Sequence, residues 1–142
     1  MGELVFEDLS FKEKGKNVEG TFLSMFSFEL SKDDLEKIGK YSAAGKKISF
    51  PDISQGRAER RFNDLLGKAF LDLKNKLNGK KTIYLHSSSG IPLMGNGGFG
   101  IIDRGTNLLE IKPISSCNIA CIFCSVDEDQ RNVDVVIEKD YL

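Results

Sequence analysis

All three cysteines of this chain fall within eight residues, Cys117-Asn118-Ile119-Ala120-Cys121-Ile122-Phe123-Cys124. The spacing is C-x-x-x-C-x-x-C. Three thiolates on so short a stretch must converge on one point, which suits a metal or a cluster with three anchored positions. A 4Fe–4S cluster held by three cysteines leaves one iron without a protein ligand, and such an iron can bind a small molecule. Structural zinc is the competing chemistry. It wants four ligands, commonly as two separated pairs, so the three cysteines would need the one histidine, His86, and the paired spacing is missing. Cys121-Ile122-Phe123-Cys124 is also a redox-dithiol spacing, but that leaves Cys117 unexplained.

The C-x-x-x-C-x-x-C run, with Phe123 just before the last cysteine, resembles the cluster loop of the radical S-adenosylmethionine (SAM) superfamily. The resemblance covers residues 101 to 126 and nothing before them. It implies Cys117, Cys121 and Cys124 as ligands of a 4Fe–4S cluster, and Phe123 as a residue near the adenine of SAM. It implies reductive cleavage of SAM to a 5′-deoxyadenosyl radical that takes a hydrogen atom from a substrate. A reductant such as ferredoxin or flavodoxin is the implied partner. In that family the loop follows the first strand of a partial (β/α) barrel, so 108–114 is expected to be that strand. A barrel needs roughly 30 residues per βα unit, and the cysteine loop lies close to Leu142. The chain is therefore expected to be the front of a longer enzyme, with the C-terminal part missing and no turnover by this piece alone. Catalytic residues and substrate are not legible.

The elements that must position this loop follow from periodicity. Val18 to Leu30 alternates, with Phe22, Phe26, Phe28 and Leu30 on one parity, which predicts a half-buried strand. Gly15-Lys16-Asn17 reads as a hairpin turn. Ser31, with Asp34 three residues on, suits the N-terminus of a short helix. From Gln55 to Leu77, Ala58, Phe62, Leu65, Leu66, Ala69, Phe70, Leu73 and Leu77 make one apolar helical stripe. Residues 81–86 and 133–137 read as strands. The run Gly95-Asn96-Gly97-Gly98-Phe99-Gly100 contains G-x-G-x-x-G, but a strand and a turn follow it rather than a helix. A dinucleotide site is thus disfavoured, and the glycines are expected to allow a close backbone approach. The expected fold class is an α+β N-terminal domain over residues 1–90, then the first strands of an incomplete radical SAM (β/α) partial barrel over 91–142.

Composition bounds the rest. Twenty basic against 21 acidic residues give a formal net charge of −1, so charge offers no case for bulk nucleic-acid binding. No apolar run approaches the roughly 20 residues of a membrane span, and the N-terminus lacks a signal-peptide pattern. Clustered, reduced cysteines then point to the cytoplasm.

Overall fold

A computed structural model describes residues 1–117, 119, 121–123 and 133–142. The chain divides into two compact units, Met1–Gly79 and Lys80–Leu142.

The first unit contains two antiparallel sheets and two helices. β1 (Gly2–Val5) pairs with β6 (Lys47–Phe50), which pairs with β5 (Ser42–Ala44). β2 (Leu9–Lys14), β3 (Asn17–Phe22) and β4 (Phe26–Ser31) form a meander, extended by β7 (Lys74–Asn75) beside β4. The Phe11 N–H donates to the Gly45 carbonyl at 2.7 Å and links the meander to the smaller sheet. The aromatic alternation is real, but it spans two strands rather than one. Leu23 and Ser24 both hold positive φ, 49° and 61°. The Met25 N–H returns to the Phe22 carbonyl at 3.2 Å, as in the hairpin turns with two left-handed central residues. A Leu-Ser-Met tip disguised this turn, because such positions usually carry Asn or Gly. Phe22 and Phe26 remain cross-strand partners, so the parity survives the reversal.

α1 (Lys32–Ile38) starts after Ser31, whose side chain makes no capping hydrogen bond. Asp34 instead pairs with Lys37 at 2.7 Å. α2 (Gln55–Phe70) is shorter than its apolar stripe. The stripe's Leu73 is buried beyond the helix end and Leu77 is exposed. The chain leaves the helix because Lys74 and Asn75 pair with Ser27 and Phe26, so tertiary strand pairing overrides local periodicity. Phe62 of α2 is fully buried and anchors the core. Its ring centroid lies 5.7 Å from Phe6, 5.9 Å from Phe11 and 6.3 Å from Phe50. Aromatic contacts at these spacings add to the burial itself.

The second unit contains β8 (Lys81–Leu85), β9 (Gly100–Asp103), β10 (Leu109–Lys112) and β11 (Val133–Ile137). β8 and β11 run parallel, with Thr82 opposite Asp134. β9 and β10 form an antiparallel hairpin. Gly100 holds φ 82°, and a side chain there would collide with the Leu93 carbonyl. That carbonyl accepts the Ile101 N–H at 2.8 Å, so this glycine permits a close backbone approach.

This arrangement corrects the fold-class expectation. A (β/α) barrel begins with parallel strands joined through helices. The strand expected to open the barrel is β10, the antiparallel partner of β9 in a two-stranded hairpin. Among the described residues the second unit contains no α-helix, and the protein is mostly β with α1 and α2 confined to the first unit. Residues 91–142 are not the start of a (β/α) barrel. The sequence places the division at residue 90. By compactness the division falls between Gly79 and Lys80, since β8 belongs with its partner β11. Among the described residues no helix is long and apolar enough to cross a membrane.

Candidate metal centre

Just before the cysteine loop the chain makes a short antiparallel contact with β11. Ile114 faces Val136. The Ile137 N–H donates to the Pro113 carbonyl at 2.8 Å, and the Ser115 N–H donates to the Val135 carbonyl at 2.9 Å. A ladder continuing in this register would return the Val135 N–H to the Ser115 carbonyl. It goes instead to Ser115 Oγ, at 2.8 Å. The side-chain oxygen thus takes the place of the backbone acceptor, a substitution serine readily makes. The strand contact ends here and the cysteines follow. Ser115 is buried, at 5% exposure.

Cys117 is exposed and Cys121 half-buried, and both are free thiols. Cys117 Sγ accepts the Ile119 N–H at 3.4 Å and lies 3.7 Å from the Ile119 carbonyl, to which its S–H can donate. Cys124 lies outside the described residues. Ile119, Ile122 and Phe123 are strongly exposed, Phe123 at 87%. The loop therefore presents thiols among unburied apolar side chains.

The donor set suits a thiophilic metal or an iron–sulfur cluster in kind. It offers uncommitted thiols, and one of them receives a backbone N–H. Hydrogen bonds of that sort to ligand sulfurs tune metal centres. His86 does not join this set. Its Nδ1 accepts the Ser88 N–H at 3.3 Å, and its own N–H donates to Ser89 Oγ at 2.9 Å. These bonds cap the short 3-10 helix Ser87–Ser89. Among the described residues, no group of three or more His, Cys, Asp or Glu side chains is placed to hold a metal. Cys117, Cys121 and His86 thus do not converge.

Ser115 was missed from the sequence. The available signal was a serine pair, Ser115-Ser116, between an apolar run and the first cysteine. Nearby, Arg104 Nε and Nη2 both donate to Glu110 Oε2, at 3.0 and 2.7 Å. That hydrogen bond, more than the charge of Arg104, holds the Glu110 carboxyl below its ordinary value. It fastens the turn between β9 and β10 ahead of the cysteine loop.

No family model matches the chain, and no solved structure matches it. An uncharacterized protein of Methanocaldococcus jannaschii is 41% identical over 75 residues, which cover 50% of this chain and 17% of that protein. The chain thus matches a small part of that relative's length.

Proposed function

We propose that Cys117, Cys121 and Cys124 hold a 4Fe–4S cluster, and that the chain is an iron–sulfur protein of the radical SAM type. The three-cysteine spacing carries this reading. The free thiols of Cys117 and Cys121 support it, as does the Ile119 N–H on Cys117 Sγ. The reading does not bring a barrel with it.

When bound, such a cluster supplies one electron to cleave SAM, delivered by an external reductant such as ferredoxin or flavodoxin. The chain's own residues have simpler tasks. Cys117, Cys121 and Cys124 would hold the cluster through their thiolates. The Ile119 N–H steadies the sulfur of Cys117. Phe123, which is exposed, would offer an apolar plane to the adenine. No general acid or base is assigned.

Anaerobic reconstitution with iron and sulfide tests the reading. The expected product is brown, absorbs broadly near ~400 nm as iron–sulfur proteins do, and loses that absorption in Cys121→Ala. One tightly bound zinc per chain, with no uptake of iron, would overturn it.

A further inference from the structure

We infer that Ser115 is a positioning residue for the cysteine loop: its hydroxyl ends the contact with β11 and so sets where Cys117 emerges. The inference rests on the proposed cluster reading and adds to it a residue outside the cysteine motif. Three observations carry it. First, the strand contact is regular up to this point, with the Pro113 carbonyl and the Ser115 N–H in backbone bonds to Ile137 and Val135. Second, the next bond is made by Ser115 Oγ rather than by backbone, at 2.8 Å from the Val135 nitrogen. Third, Ser115 is buried while Cys117, two residues on, is exposed.

The physical consequence is directional. A carbonyl engaged with Val135 would hold the chain extended along β11 for another residue pair. With the hydroxyl in that role, the Val135 N–H is satisfied and the Ser115 carbonyl need not point at β11. The backbone can then turn away, and Cys117 follows two residues later. Without the hydroxyl, the chain must either leave the Val135 N–H without this acceptor or return the Ser115 carbonyl to it. The first costs a hydrogen bond. The second draws the start of the cysteine loop back along the strand, which changes where Cys117 stands relative to the other thiols.

Ser115→Ala and Ser115→Thr in the 142-residue chain test this, with three readouts. Amide exchange at Val135 in the metal-free protein reports the bond itself. In Ser115→Ala it should accelerate about five- to tenfold where the acceptor is simply lost, and stay slow where the backbone carbonyl at this position takes the Val135 N–H over. Iron release to a chelator after reconstitution reports positioning. It should be about tenfold or more faster in Ser115→Ala, the usual effect of removing an outer support of a metal ligand. Ser115→Thr keeps a hydroxyl and should restore the wild-type rate. Alkylation of Cys117 in metal-free protein should also change its rate in Ser115→Ala.

If Val135 exchange accelerates while iron release does not, Ser115 serves the strand alone and the inference falls. If Ser115→Thr loses iron as fast as Ser115→Ala, the hydroxyl is not the agent and the inference falls. If the wild-type chain takes up no iron, the cluster reading has failed. Cys117 alkylation then decides: an unchanged rate in Ser115→Ala overturns the positioning role and a changed one upholds it.

Discussion

The ring of Phe28 lies across the backbone of Gly20, its cross-strand partner in the meander, so that a β-carbon on Gly20 would overlap Phe28 Cζ and both Cε atoms. Phe28 is buried, and its ring contacts those of Phe11 and Phe70, at 6.5 and 5.2 Å between centroids. The ring has little room to retreat. Gly20→Ala is therefore expected to destabilise the first unit by about 1–3 kcal/mol, the usual cost of forcing extra atoms into a packed site. Chemical denaturation measures it. An unchanged midpoint would show that the ring moves freely.

The two aromatic anchors of α2 are not equivalent. Phe62 is fully buried among Phe6, Phe11 and Phe50, whereas Phe70 is half-buried against Phe22 and Phe28. Phe62→Ala should cost about 3–5 kcal/mol. Phe70→Ala should cost less, since part of its surface already meets water. Equal losses in paired denaturation curves would mean that α2 packs differently.

The hairpin tip carries strain that can be removed. Leu23 and Ser24 hold left-handed backbone angles, which cost roughly 1–2 kcal/mol per residue for ordinary side chains. Replacing the pair with Leu23→Asn and Ser24→Gly should stabilise the first unit by about 1 kcal/mol, because these residues favour such turns. A lower melting temperature in the double variant would show that the apolar side chains at the tip matter more than the backbone angles.

Glu110 should make the β9–β10 hairpin sensitive to acid. The Arg104 hydrogen bond holds its carboxyl below the ordinary value in the folded protein. A lowered folded pKa means that its contribution is fully present above the unfolded value of about 4.3. That contribution is lost as pH falls through the lower folded value. NMR titration of the Glu110 carboxyl should give a midpoint below that of a free glutamate, and Arg104→Gln should move it upward. A midpoint unmoved by Arg104→Gln would break the assignment. Both groups are partly exposed, so the effect on overall stability should be small.

Some of this protein was written locally. The cysteine spacing names a candidate chemistry because three like donors within eight residues have few other uses. The apolar stripe predicts α2, and the alternation predicts β4, because each repeats at the period of its element. The limits came from long-range choices. α2 stops at Phe70 because β7 finds a partner in β4, and no pattern within the helix encodes that. The turn at Leu23 and Ser24 lacks the Asn or Gly that such turns favour, so only the pairing of β3 with β4 reveals it. The strand before the cysteines was legible as a strand, but not its partner. A run of strand-forming residues names a strand, but not its neighbour or its direction. Tertiary structure gave β10 an antiparallel partner in β9, which removed the barrel expectation. It also turned Ser115, an unremarked polar residue, into the point where strand becomes loop, because a hydroxyl acts as a backbone acceptor only where another strand supplies the N–H.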